Sequence, residues 1–360
     1  MAGVTMWLDE ARWREHQRTV AGSVPLVPVA KGNGYGFSLP RLAAEAQALS
    51  AASPGAEAVR SGAIAVGTPA EVAQVRDAFD GDIVILQPYD GADPLATSLA
   101  GDRRVISTVS RVGDLERITT AADEPRVLVE VLTSMRRHGL PADRLAVVRD
   151  YQPRIRFEGW TIHLPIRDQG RYAEAESLGR AALSAAPGPL WLSHLPAEEV
   201  VALGRQLGGS GGAPTPVRLR QGTRLWLGDP GAYRVTATVL DVHSVRRGER
   251  AGYRQRRVPA DGWIVVVAGG TAQGIGLEAP TSARSMRARA ISVATGSLEA
   301  AGLALSPYTL AGKKRWFLEP PHMQSSLVFL PRSVSPPAVG DEVPVEVRLT
   351  TAVVDRIVAV

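Results

Sequence analysis

The chain has no cysteine. Disulfides, thiolate metal ligands and a cysteine nucleophile are excluded, and redox compartment is left without a marker. Lysine is nearly absent too: Lys31, Lys313 and Lys314 stand beside 38 arginines. Aromatic residues make up 5%, too few for platforms on which bases stack. The arginines are scattered, in no run longer than "RR" or "KKR", so a net charge of +5 marks no nucleic-acid face. No apolar run approaches the ~20 residues of a membrane span. The opening "MAGVTMWLDEARWREH" lacks the basic and apolar regions of a signal peptide. These absences leave a cytoplasmic globular protein that binds neither nucleic acid nor membrane.

What is present fits two domains. A length of 360 residues, with 45% hydrophobic and 21% charged, suits a large barrel plus a smaller unit. Apolar runs read as buried strands: "VPLVPVA", "AIAVG", "DIVILQ", "RVISTV", "RVLVEVL", "IRFEGWTIH", "PLWLSH" and "VRLRQG". Helix-like stretches such as "SLPRLAAEAQALSAA", "TPAEVAQVRDAF", "RYAEAESLGRAALSAA" and "PAEEVVALGRQL" lie between them. Strand and helix in alternation predict parallel strands with helical crossovers, here an α/β barrel of the (β/α)8 type over residues 1–232. "GGSGGAPTP", Gly208 to Pro216, reads as a flexible insert before the last of these strands. From Tyr233 the runs "YRVTATVLDVHSVRRGE", "WIVVVAGG", "RWFLEPP" and "SSLVFLP" predict a mostly antiparallel β domain over residues 233–360.

The rarity of lysine singles out "PVAKGNGYGFS", Pro28 to Ser38. Lys31 falls at the carboxyl end of the first barrel strand, where barrel enzymes gather their reactive groups. Its glycines let backbone approach a ligand closely. A primary amine forms a Schiff base with a carbonyl, which a guanidinium does not, and pyridoxal phosphate is the usual partner. A surface lysine in a glycine turn is the plainer alternative.

"VPVAKGNGYGFS" resembles the cofactor-lysine signature of the alanine racemase family, the fold type III group of pyridoxal-phosphate enzymes. Lys31, Asn33, Tyr35 and Gly36 match; Gly32 and Gly34 replace two alanines. The resemblance continues in order through "IAVGTPAEVAQVR", "LTSMRRHGL", "FEGWTIHLP", "RLRQGTRLWLG", "RGERAGYRQRR", "EPPHMQSS" and "VGDEV". It implies a pyridoxal 5'-phosphate-dependent amino-acid racemase, a homodimer in which each β domain contributes to its partner's active site. Lys31 and Tyr253 of the partner subunit would act as the two bases, one on each face of the substrate Cα, as inversion requires. The arginines at 254, 256 and 257 would supply positive charge near that tyrosine.

By the same resemblance Arg220 would face the cofactor's ring nitrogen, with His163 hydrogen-bonded to it. A guanidinium stays protonated, so the ring nitrogen would stay unprotonated and electron withdrawal from Cα modest. Arg137 would bind the cofactor's phenolic oxygen and the substrate carboxylate, with Glu130 as its anionic partner, accepting it in a bidentate pair. Tyr35, Gly222, Thr223 and one of Ser193 or His194 would hold the phosphate; the match leaves that last choice open. Met323 would reach the substrate carboxylate of the partner subunit's site, or else be a buried methionine. No metal is implied.

Departures gather at the substrate entrance. "GTAQG" puts Thr271 and Gln273 where the family has tyrosine and aspartate, and Gln324 stands for another aspartate. No match to the family's late Arg-Val-Pro-Arg-x-Tyr segment is found. Less aromatic bulk at the gate points to a racemase or epimerase of an amino acid larger than alanine, or to a weakly catalytic pyridoxal-phosphate carrier or regulator.

Overall fold

The structure, a computed structural model, describes residues 2–22, 24–51, 62–166, 169–208, 212–277 and 304–360. It divides into two compact units, Arg14–Gly228 and the pair Met1–Trp13 with Asp229–Val360. Part of the Gly208–Pro216 insert, residues 209–211, lies outside the described residues.

After a first strand, β1 (Val4–Leu8), come eight that make the barrel. They are β2 (Leu26–Pro28), β3 (Ala63–Val66), β4 (Asp82–Pro88), β5 (Val105–Val109), β6 (Arg126–Val131), β7 (Arg156–His163), β8 (Leu190–Ser193) and β9 (Val217–Gln221). All pairs are parallel, in the order β2-β9-β8-β7-β6-β5-β4-β3. A bridge between Val29 and Ala65 closes the circle. The eight predicted runs are these eight strands.

Side chains alternate across each strand. Val27, Val29, Ala63, Ala65, Val84, Ile106, Leu128 and Trp191 form one buried cluster. Their neighbours Val127, Val129, Trp160, Ile162, Leu190 and Leu192 belong to another, which includes helix residues such as Ala175, Ala182, Val200 and Leu203. Strands buried on both faces need continuous apolar runs, which is why they were readable. The predicted helix over "TPAEVAQVRDAF" is shorter in the structure, a 3-10 turn at Pro69–Glu71 followed by Val72–Val75.

At the amino ends of the barrel strands, Arg126 pairs in fork geometry with Asp82 (2.5 and 2.7 Å) and bonds Glu158 at 2.8 Å. The Arg218 guanidinium lies 4.5 Å from the Trp191 ring centroid. Charge at that end is spent on closing the barrel. The opposite, carboxyl end is left for chemistry.

The second unit is built on a sheet of order β16-β13-β10-β1-β18. Its strands are β10 (Tyr233–Val245), β13 (Gly262–Ala268), β16 (Ser325–Pro331) and β18 (Arg356–Ala359), with β17 (Glu342–Pro344) also on β10. Two small ribbons join it, β11 (Arg250–Ala251) with β12 (Arg256–Arg257), and β14 (Leu305–Leu310) with β15 (Lys313–Trp316). All pairs are antiparallel except β1 with β18.

One expectation is corrected here. Residues 1–232 do not form one unit: β1 lies between β10 and β18 in the β-rich sheet. A barrel closed by eight strands has no free edge to offer a ninth, and β1 places buried Val4 in the core of the sheet it joins. The chain therefore crosses between units twice, within the helix Glu10–Ala21 and at Gly228.

Candidate active site

The Lys31 turn is set by its glycines. Gly32, Gly34 and Gly36 all have positive φ, and Tyr35 itself sits at φ 55°. A non-glycine residue in that region costs on the order of 1–3 kcal/mol. The cost is offset by burial of the Tyr35 ring and by a bond from its N–H to Asn33 Oδ1 at 3.2 Å. The turn directs Tyr35 to a specific place. Its hydroxyl lies where a side chain on Gly222 would be: a Cβ there would meet the Tyr35 oxygen at 2.0 Å. Burial, and then the charge of Glu71, push the Tyr35 hydroxyl up to about 12, so it remains a donor at neutral pH. Trp226, in the helix Thr223–Leu227, donates from Nε1 to the Val29 carbonyl at 2.8 Å and ties this corner to the strand before Lys31.

Glu71 is a member of the site that the sequence reading missed. Its carboxylate accepts from the Gly32 N–H at 2.9 Å and the Gly67 N–H at 2.6 Å. It thereby staples the Lys31 turn to the end of β3. The spacing Thr68-x-x-Glu71, a capping-box pattern, was the available signal.

Five charged or titratable side chains of the barrel unit converge on this rim. Lys31, Arg137, Arg220, His163 and His194 perturb one another electrostatically. The Lys31 side chain keeps contact with solvent, yet crowding at the rim withholds enough water to lower its pKa below the usual lysine value. Arg137 and Arg220 add to that lowering, and Glu71 opposes it. Burial first, then Arg220 and Arg137, push His163 down to about 3, so its ring is neutral. Its Nδ1 pairs with the Ser193 hydroxyl at 2.8 Å. The expected bond between His163 and Arg220 is thus replaced by one to Ser193, on the adjacent strand and in register with it.

Arg220 is buried, and its Nε and Nη2 have no hydrogen-bond partner among the described residues. Burial pushes the guanidinium down to about 10, with Glu130 raising it and Arg137 lowering it; it stays charged at neutral pH. Buried donors left unpaired cost about 1–3 kcal/mol each, which marks a site built for an acceptor not supplied by the chain.

Glu130 is 5% exposed, and its Oε2 accepts from the Ser110 hydroxyl at 2.8 Å. Arg137 Nη2 stands 4.0 Å from its Oε1. That is a loose ion pair, not the bidentate contact expected, because Arg137 extends from the loop after β6 while Glu130 stays within the strand. His194 follows β8 in the left-handed region, φ 61°, next to buried Ser193. Thr223 is exposed beside Gly222.

The neutral state of His163 has a measurable consequence. In the unfolded chain it takes a proton near pH 6.5; folded, it does so only near 3. The unfolded state therefore binds more protons between those values. Stability is full above about pH 6.5 and falls with acidification, by at most ~1.4 kcal/mol per pH unit from this residue. Urea midpoints of cofactor-free protein at pH 7 and pH 5, followed by tryptophan fluorescence, should show a smaller drop in His163→Gln than in wild type.

Tyr253 and Met323 both belong to the β-rich unit. Tyr253 is 86% exposed on the turn between β11 and β12, and Met323 is 73% exposed. Met323 is therefore not a buried methionine. The two line a shallow cavity of about 350 Å³ together with Arg254, Glu319 and His322.

A closed parallel barrel with cations at its carboxyl rim, joined in one chain to an antiparallel β unit, is the architecture of fold type III enzymes. Residues 10–187 match the family described as "Alanine racemase, N-terminal domain". Over this stretch, just under half of its length, the chain is similar to the alanine racemase family. Solved structures agree in fold. Alanine racemase from Bartonella henselae with covalently bound pyridoxal phosphate is 16% identical, with all of both chains covered and a TM-score of 0.70. Alanine racemase of Clostridium difficile 630 is 15% identical, covering 99% of this chain and 96% of that one, TM-score 0.69. The enzyme from E. faecalis is 19% identical, covering 95% and 88%, TM-score 0.64. No curated protein matches the sequence.

Proposed function

We propose that the protein is a pyridoxal 5'-phosphate-dependent amino-acid racemase. The observation that carries this is buried Arg220, whose two unpartnered donors sit at the same barrel rim as Lys31. The residues present fit the cofactor. Its aromatic ring nitrogen is an acceptor of the kind Arg220 lacks. Tyr35, Gly222, Thr223 and Ser193 or His194 offer donors for a phosphate, and the rim is positively charged. When bound, pyridoxal phosphate supplies an aldehyde for an amine and a ring that withdraws electrons from the substrate Cα.

This chain's residues do the rest. Lys31 has a lowered pKa, so more of its Nζ is unprotonated at neutral pH, and Nζ takes or returns the α-proton on one face. Tyr253, from the partner subunit of a homodimer, works through its hydroxyl on the other face. Arg137 orients the substrate carboxylate, loosely held itself by Glu130, and Met323 of the partner subunit closes over it. Neutral His163 cannot add a charge near Arg220, so it keeps Ser193 oriented without competing for the anion. Thr271 stands in the sequence where the family has a tyrosine, so less aromatic bulk at the entrance would favour a substrate larger than alanine.

The test is α-proton exchange into D2O, followed by NMR across a panel of L- and D-amino acids with the cofactor-loaded protein. Exchange with inversion of one amino acid is expected. Cofactor uptake with no exchange for any member would overturn the racemase reading and leave a carrier.

A further inference from the structure

Tyr253 is highly exposed, yet its turn is not loosely held. Glu319 is 2% exposed by its side chain, and its carboxylate sits against the backbone of this turn. Oε1 accepts from the Tyr253 N–H at 3.0 Å and Oε2 from the Arg254 N–H at 3.1 Å. The approach is so close that a Cβ on Gly252 would meet the carboxylate carbon at 2.1 Å, and Gly252 has φ +76°. Only glycine accommodates both conditions. On its other side Oε1 pairs with His322 Nε2 at 2.6 Å. The His322 ring then packs on the Tyr253 ring, centroids 4.4 Å apart and planes tilted by 43°. The chain of contacts is thus closed: Glu319 fixes the backbone of Tyr253 and also the histidine that braces its ring.

We propose that Glu319 is a positioning residue for Tyr253, acting through the turn Gly252–Arg254 and through His322, and that this clamp holds an otherwise solvent-exposed hydroxyl in one orientation. The proposal rests on the racemase reading, in which Tyr253 is one of two bases on opposite faces. Burial acts to raise the Glu319 carboxyl, but the bonds from His322 and from the N–H groups of Arg254 and Tyr253 outweigh it and hold it below the usual range. The clamp is therefore anionic at neutral pH. Neither the carboxylate nor the histidine is offered as a proton carrier to substrate.

In the two-base reading the effect is one-sided. Each enantiomer presents its α-hydrogen to a different base, so loosening Tyr253 slows exchange from one enantiomer only. A misplaced base costs up to about 100-fold. In Glu319→Gln, exchange into D2O from the Tyr253-facing enantiomer should fall about 10- to 100-fold, and from the other by no more than about twofold. His322→Phe, which keeps a ring but removes the bond to Oε1, should show the same asymmetry more weakly and serves if the first variant does not fold. In the Tyr253→Phe background Glu319→Gln should cost nothing further, since both act through one group. In the cofactor-free protein, amide exchange at Tyr253 and Arg254 should quicken by about tenfold in Glu319→Gln, the loss of one hydrogen bond. Equal slowing for both enantiomers, or an additive loss in the double variant, would reduce Glu319 to scaffold and overturn the proposal. Unimpaired exchange in Glu319→Gln beside an impaired Tyr253→Phe would also overturn it, with the racemase reading intact. Wild-type exchange in Tyr253→Phe would instead remove the base itself, and the proposal with it.

Discussion

Lys31→Ala abolishes the visible absorbance of the cofactor-loaded protein and lowers racemisation by more than about 10⁴-fold, because one amine is both the attachment point and a base. Lys31→Arg does the same while keeping the positive charge. Loss of absorbance in both variants, with borohydride fixing the cofactor only to wild type, is the expected pattern. The arginine variant is the informative one. The rim already carries Arg137 and Arg220, so charge alone is plentiful there. If Lys31→Arg retained the absorbance band, Lys31 would be serving as a cation only, and the Schiff-base role would be lost. The neighbourhood favours the amine: water withheld at the crowded rim and two arginines lower its pKa, which raises the unprotonated fraction that attacks a carbonyl.

The parts of this site visible in the sequence share one property: they lie next to strands in a short, distinctive pattern. Lys31 follows an apolar run and precedes three glycines, and Arg220 and Gly222 sit at a strand end. Buried parallel strands are continuous apolar runs, so all eight could be located. What was not legible depends on pairings distant in sequence. Val4–Leu8 reads like any other short strand, and nothing local says that its partners are β10 and β18, the latter some 350 residues on. Glu71 and Glu319 were passed over for the same reason. Each is an ordinary carboxylate until folding sets it against the N–H groups of a glycine turn. Both candidate bases prove to stand on such a turn, each held by a carboxylate from another segment. The pairing of Glu130 with Arg137 was legible as opposite charges, but not its looseness, which depends on how the loop after β6 leaves the barrel.

Arg220→Met is expected to act in opposite directions on stability and on ligand binding. The guanidinium is buried with two donors unpartnered, so in the cofactor-free protein it is a cost that a methionine of similar length avoids. Glu130 recovers part of that cost through its charge, so the net gain on substitution is about 1–2 kcal/mol. Urea denaturation of cofactor-free Arg220→Met should therefore give a higher midpoint than wild type. Added pyridoxal phosphate should reverse the order. A ligand at 100 times its Kd stabilises by about 2.7 kcal/mol, and a variant whose affinity has dropped about 100-fold gains only about 0.4 kcal/mol at the same concentration. Crossing of the two stabilities as cofactor is titrated would identify Arg220 as a donor held ready for the ligand at the expense of the fold. A destabilised cofactor-free variant would mean that Glu130 depends on Arg220, and that the pair is structural.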